Sequence, residues 1–341
     1  MFATSIGIDL GTSSVVVYIK GKGIVLNEPS VIAYNKSDKS IRAVGRSAYR
    51  MLGRNPAEIE VVRPLNDGVI SSYTLTEAMI KALMARTLRH NMISPKLMIC
   101  VPSGVTDVEQ RAVIETARQM NMKEIYIMEE ALAAALGAGY DITEPEGKMV
   151  VDIGGGTTDI AVVSSGKTIA GRSLKIAGDE FDREVLAYLK REHNLIVGPQ
   201  TTEHIKTTIG CVAKRKDNLS LVARGICNIT GLPKSEVITS EELRPIFSGL
   251  VHNITERINE VLEEISPQLQ GDVLKSGILL AGGGSLIYGL DEVIYKVTGI
   301  PTFHAEDPFT CVAKGAGKAL DFISDNDDPT KRVYKKAYIH E

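Results

Sequence analysis

The chain has 341 residues, 44% hydrophobic and 24% charged, a length and composition that suggest about two domains with filled cores and no long disordered stretch. Its net charge of −3 argues against a dedicated nucleic-acid binder. Cys100, Cys211, Cys227 and Cys311 stand far apart with no Cys-x-x-Cys pair, so they read as reduced, mostly buried thiols and not as a zinc or disulfide framework. The start MFATSIGIDLG lacks the basic and apolar regions of a signal peptide. No stretch approaches the ~20 apolar residues of a membrane span, and the expected compartment is the cytosol.

In chain order, SIGIDLGTSSVVVYI reads as a β-branched strand to Asp9, a small-residue turn and a returning strand. A helix is expected over 76–91, with Ile80, Leu83, Met84 and Leu88 on one face. LMICVP is a short buried strand ending at Pro102. The next helix starts at Thr106, where Thr106 and Glu109 fit a capping box, and extends to Met120. TEPEGK, just before Met149, is an expected hinge. MVVDIGGGTTDIAVV then repeats the first arrangement around Asp152, and this duplication predicts two similar domains facing each other. Phe181, Val185, Leu186 and Leu189 mark a further helix, and Val251, Ile254, Ile258, Val261, Leu262 and Ile265 form a long apolar stripe. The strand GILL leads into AGGGS, a helix is expected from about Ser285, and 312–323 reads as helical. Strands alternating with helices give an α/β fold. The closing SDNDDPTKRVYKKAYIHE is polar and aperiodic and is expected to fray.

Three glycine turns carry the chemistry. In the first, Asp9, Gly11, Thr12, Ser13 and Ser14 combine a strand-end carboxylate, backbone N–H groups able to form an anion nest, and three hydroxyls. Alone, this is also the composition of an ordinary hairpin turn. In the second, Asp152 precedes Gly154, Gly155, Gly156 and Thr157. Three successive glycines are entropically costly unless the backbone must approach something closely, and a phosphate would explain them. The third, Gly282, Gly283, Gly284 and Ser285, follows a buried strand and is expected to aim a helix N-terminus at the same place.

These turns resemble the phosphate 1, phosphate 2 and adenosine motifs of the actin, sugar kinase and DnaK-type chaperone superfamily. GKGIVLNEPSVIA (21–33), AVGRSAYRMLGRNP (43–56), RPLNDGVI (63–70), IAGDEFD (176–182) and AGGGSLIYGLDEVI (281–294) are similar to the MreB family of bacterial actins, a resemblance that runs from about residue 5 to residue 323. It implies an actin-like two-domain nucleotidase fold of duplicated ribonuclease H-like domains. The first domain would be 1–145 plus 316–326, with a small subdomain around 30–70. The second would be 146–315, with a small subdomain around 180–245, and 327–341 would be a flexible tail.

The resemblance also implies ATP or ADP with Mg2+. Asp9 and Asp152 match the metal-side carboxylates, acting through the ion's waters. Gly11, Thr12, Ser13 and Ser14, and Gly154, Gly155, Gly156 and Thr157, match the phosphate loops. Glu203, His204, Ile205 and Lys206 match the base and ribose side, and Gly282, Gly283, Gly284, Ser285 and Leu286 the adenosine pocket. Glu130 matches the glutamate that positions the attacking water, with Glu129 its obvious rival; otherwise Glu130 is a helix N-terminal acid. The sequence departs from the family at Ala131, where a proline is expected, and at Thr208, where an acid is expected.

The implied function is an ATP-dependent, slowly hydrolysing filament under the cytoplasmic membrane that directs lateral cell-wall synthesis and maintains rod shape. Its partners would be itself, the inner face of the membrane and membrane-embedded wall-synthesis machinery, with no nucleic acid. Met92 and Ile93, in a loop flanked by Arg89 and Lys96, are the expected membrane contact; packing against the core is the alternative. Met1 and Phe2 would add a second contact. The rival readings are a sugar or small-molecule kinase, which needs an acid as base in the cleft and an inserted substrate pocket, and a chaperone ATPase, which needs a β-rich substrate domain after residue 325.

Overall fold

The computed structural model describes residues 4–87, 95–118, 122, 124–323 and 334–339. Met1, Phe2, Met92 and Ile93, the expected helix ends at 88–91 and at Met120, and 327–333 of the expected tail lie outside these residues.

Two mixed sheets form the frame. In the first, Ser5–Leu10, Ser14–Ile19 and Gly23–Pro29 make an antiparallel meander, and Lys96–Val101 and Glu124–Glu129 add in parallel beyond Ser5–Leu10. In the second, Lys148–Ile153, Thr158–Ser164 and Lys167–Leu174 make the meander, and Ile278–Ala281 and Thr302–His304 add in parallel. The spatial order is therefore the same in both, with the meander's first strand at the centre. The duplication visible in two turns extends to whole sheets. Asp9 and Asp152 occupy the same place, one residue before the end of each central strand.

The central strands are covered on both faces and read as apolar runs; every residue of Thr158–Ser164 is buried. The helices Glu130–Gly137 and Cys311–Ala319 lie between the sheets and join them in one core with Met98 and Tyr126 from the first and Val150 and Leu279 from the second. Their small residues permit this: a Cβ on Gly315 would overlap the Ala133 carbonyl, and one on Gly137 the Cys311 carbonyl. The segment 144–147 is tied to the second unit. Gly147 N–H donates to Asp272 at 3.1 Å and the Ser164 hydroxyl to the Pro145 carbonyl at 2.7 Å.

Helix Gly178–Glu192 buries Phe181, Val185 and Leu189, while Leu186 of the expected stripe stays exposed. Helix Ser248–Glu264 buries Val251, Ile254, Ile258 and Val261. The capping box is present: Thr106 N–H donates to Glu109 at 2.8 Å and Glu109 N–H to the Thr106 hydroxyl at 3.3 Å, ahead of helix Asp107–Arg118. Two small three-stranded sheets stand apart from the frame, one of Ile32–Asn35, Ile41–Val44 and Ile59–Val62, the other of Leu195–Ile196, Ser220–Cys227 and Pro233–Thr239. All four cysteines are free; Cys100, Cys211 and Cys311 are buried and Cys227 is half-buried. Among the described residues no helix is long and apolar enough to cross a membrane.

Two expectations need correction. The end of the chain does not simply fray: Lys335–Ile339 pairs antiparallel with Glu124–Glu129 at the edge of the first sheet, and Tyr334 packs edge-on against Tyr126 with ring centroids 5.2 Å apart. No α-helix starts at Ser285; Gly283–Leu286 is a 3₁₀ turn and the helix begins at Leu290. The expected domain crossing between 315 and 316 lies within helix Cys311–Ala319.

Candidate functional site

The two Asp-Gly turns face each other across one cleft. Each closes in the same way: Gly11 N–H donates to the Ser14 carbonyl at 3.0 Å and Gly154 N–H to the Thr157 carbonyl at 2.9 Å. Asp9, Gly11, Thr12, Ser13 and Ser14 line one side, and Asp152, Gly154, Gly155, Gly156 and Thr157 the other. Glu130, Gly282, Gly283 and Gly284, and Glu203 and Lys206 complete the walls. The cleft encloses about 950 Å³ including the part open to solvent.

The turns touch each other. A Cβ on Gly155 would overlap the Ser13 side chain, and one on Gly156 would overlap the Thr12 hydroxyl and crowd the Asp67 backbone. The glycine run is thus required by the facing turn as well as by anything bound between them. Thr12 Oγ1 also accepts from Gly68 N–H at 2.9 Å. Gly282, with φ of 77°, brings the third turn so close to Asp152 and Ile153 that a Cβ there would overlap both.

The cleft concentrates buried acids. Burial pushes Asp9 up to about 7 and Asp159, the strand partner of Asp152, up to about 6. Burial, and then the charges of their acidic neighbours, push Glu130 and Asp152 well above the usual carboxylate range. Asp159 also reaches across to the first unit, accepting from Ser103 N–H at 2.7 Å. Such a cluster favours a bound cation. Among the described residues no three Asp, Glu, His or Cys side chains are placed to hold one ion directly. A magnesium ion keeps several waters and takes one or two carboxylates besides phosphate oxygens; Asp9 and Asp152 both line the cleft.

Glu129 and Glu130 part company. Glu130 opens helix Glu130–Gly137 and faces the cleft. Glu129 turns to the second sheet and accepts from the Thr168 hydroxyl at 2.6 Å. Ala131 is fully buried behind Glu130.

Four expected residues do not line the cleft. On helix Pro199–Ile209, Glu203, Lys206 and Thr207 face it, whereas Ile205 is buried in the core and His204 is exposed beside Thr208 at 3.2 Å. The acid-to-Thr208 departure therefore falls outside the cleft. Ser285 is buried and donates to the Gly282 carbonyl at 2.7 Å, bracing the turn, and Leu286 projects to solvent. Conversely, Gly68, Gly178, Thr207, Pro308, Phe309 and Val312 line the cleft without having been singled out. Thr207 was within reach of helical periodicity; the others arrive from separate loops through tertiary packing.

A family model described as MreB/Mbl protein matches residues 3–328. This chain belongs to the MreB/Mbl family. Among its MreB/Mbl relatives, the cell shape-determining protein Mbl of Bacillus subtilis (strain 168) is 44% identical over 322 residues, 94% of this chain and 97% of that one. Crystal structures of MreB5 of Spiroplasma citri bound to ADP and to AMPPNP are similar at TM-scores of 0.90 and 0.91, both at 38% identity. They cover 94% and 96% of this chain, and it covers 97% and 98% of theirs. MamK in a double helical filament shares the fold, with a TM-score of 0.81 at 21% identity over 95% of this chain and 100% of that one. The MreB/Mbl chain has the actin-like two-domain nucleotidase fold of duplicated ribonuclease H-like domains, and its family is cell shape-determining and actin-like.

Proposed function

We propose that this MreB/Mbl-family protein is an ATP-dependent bacterial actin. It assembles into filaments under the cytoplasmic membrane, directs lateral cell-wall synthesis with membrane-embedded partners and maintains rod shape. The observation that carries the nucleotide part is the contact of two Asp-Gly turns across one acid-rich cleft. A relative of the same fold was solved with ADP and with AMPPNP.

The turns present successive backbone N–H groups and the hydroxyls of Thr12, Ser13, Ser14 and Thr157 to the β- and γ-phosphates. Asp9 and Asp152 would hold magnesium through its waters, and the ion supplies neutralisation of phosphate charge. Glu130 orients a water in line with the γ-phosphorus. The water's oxygen–phosphorus bond forms as the bridging bond breaks, ADP leaves, one of the water's protons stays on the released phosphate and the other passes to solvent. Turnover is slow, and Ala131 leaves this helix start without the fixed φ of a proline.

ATP touches both turns and favours the closed arrangement; loss of the γ-phosphate weakens that bridge. Head-to-tail contacts between copies that do not close into a ring give an open filament. Met92 and Ile93 would each add about 1.5–3 kcal/mol of membrane affinity, too little for one copy and enough for many by avidity. The test is co-sedimentation with lipid vesicles in ATP or ADP, for wild type and Met92→Ser/Ile93→Ser. An ATP-favoured, lipid-bound pellet that the double change releases supports the reading. Equal binding by both proteins removes the loop from it. Wild type that never pellets, at any salt or magnesium level, sinks the filament and points to small-molecule phosphorylation as the next assay.

A further inference from the structure

The cleft walls are tied together a second time, away from the phosphate turns. The short helix Arg46–Tyr49 and the strand Ile59–Val62, with Arg63 just beyond it, sit with the first domain's small sheet. Opposite stand helices Gly178–Glu192 and Pro199–Ile209 of the second domain. The Tyr49 hydroxyl donates to Glu203 at 2.5 Å. Gln200, one turn earlier on the same helix, donates its amide to the Tyr49 and Leu52 carbonyls. Arg63 donates to Asp179 at 2.7 Å and stands 4.0 Å from Glu203.

Glu203 joins the two features. It lines the cleft beside Lys206, and its carboxylate is held from the other domain by a phenol that does not line the cleft. Burial and then the Glu203 contact push the Tyr49 phenol above its ordinary value, so it remains a donor across the physiological range. A bond from a neutral donor to a half-buried carboxylate is of the stronger, charge-assisted kind.

We propose that Tyr49, Gln200, Arg63 and Glu203 form a latch between the domains that gates nucleotide exchange. This rests on the cleft being the nucleotide site. Nucleotide leaves or enters only when the walls part, and the walls part only when these bonds open. Tyr49 and Gln200 are positioning residues: they set the rate of exchange without touching the nucleotide.

The test is stopped-flow exchange of a fluorescent ADP analogue with magnesium on the full chain, comparing wild type, Tyr49→Phe and Gln200→Ala. Loss of one charge-assisted bond is expected to speed opening about tenfold. Because the latch acts as a gate, entry and release in Tyr49→Phe accelerate together and equilibrium affinity changes little. Gln200→Ala moves both rates in the same direction. Unchanged rates in both variants overturn the latch. So does faster release alone with weakened affinity, which would make Tyr49 part of the nucleotide contact through Glu203. If wild type does not bind the analogue, the cleft reading itself fails, an outcome distinct from normal binding with unaltered variants.

Discussion

The two Asp-Gly turns share one pattern but divide the work. The first, Asp9 to Ser14, supplies hydroxyls: Thr12 and Ser13 reach across to the facing backbone. The second, Asp152 to Thr157, supplies space: Gly155 and Gly156 leave room for those side chains. The first sheet pairs Asp9 with Val16, whereas the second pairs Asp152 with Asp159, so the acids are richer on the second side. A duplicated fold thus becomes a two-sided grip because its halves differ where they meet.

The largest break in that comparison is expected from Gly156→Val. Its side chain would collide with Thr12 and the Asp67 backbone, and overpacking of this kind costs typically 1–3 kcal/mol. Nucleotide affinity should fall by one to two orders of magnitude. Gly11→Ala should fall less, because its Cβ would meet only its own turn, Ser14 O at 3.0 Å and Asp9 Oδ1 at 3.6 Å. Equal losses in a calorimetric titration would remove the asymmetry.

Next in size is the contrast between the paired glutamates. Glu130→Gln should lower ATP turnover about a hundredfold, the lower range for a positioned acid–base group, with affinity retained. Glu129→Gln, whose partner is Thr168, should leave turnover within a few-fold of wild type. A phosphate-release assay checks both, and a reversed order would reassign the water-positioning role.

The smallest effect is in pH. Asp9, raised to about 7, and Asp159, raised to about 6, bind protons more tightly folded than unfolded. Their stabilisation is complete below the ordinary carboxylate value near 3.8 and is lost as pH rises through the folded values. The nucleotide-free protein should therefore melt progressively lower from about pH 4 to about pH 7. Acids such as Glu109 and Asp307, whose values are lowered, act below that window. Asp9→Asn should flatten the upper part of the slope and Asp159→Asn the lower part; melts with parallel slopes in all three proteins would contradict the assignment.

Much of this was legible in the chain. Strand–turn–strand segments around Asp9 and Asp152 announced both sheets and both sides of the cleft, because β-branched runs and glycine turns act locally. Periodicity alone separates Glu203, Lys206 and Thr207 from buried Ile205 on helix Pro199–Ile209, so a helix cannot present 203–206 to the cleft as one continuous stretch. Other features were not local. Tyr334 finds Tyr126 far back in the chain, and Pro308 and Phe309 reach the cleft only once the second sheet is assembled. The glycine run looked like a phosphate requirement; its steric cause, the facing Ser13 and Thr12, becomes visible only when the halves meet.

The most direct test is a calorimetric titration of magnesium–ATP into wild type, Gly155→Ala and Gly155→Ala/Ser13→Gly. If the turns form one site by fitting into each other, Gly155→Ala binds weakly and the added Ser13→Gly restores much of the loss, since it removes the side chain that the new methyl would overlap. Additive losses, with no rescue in the double variant, would contradict the account.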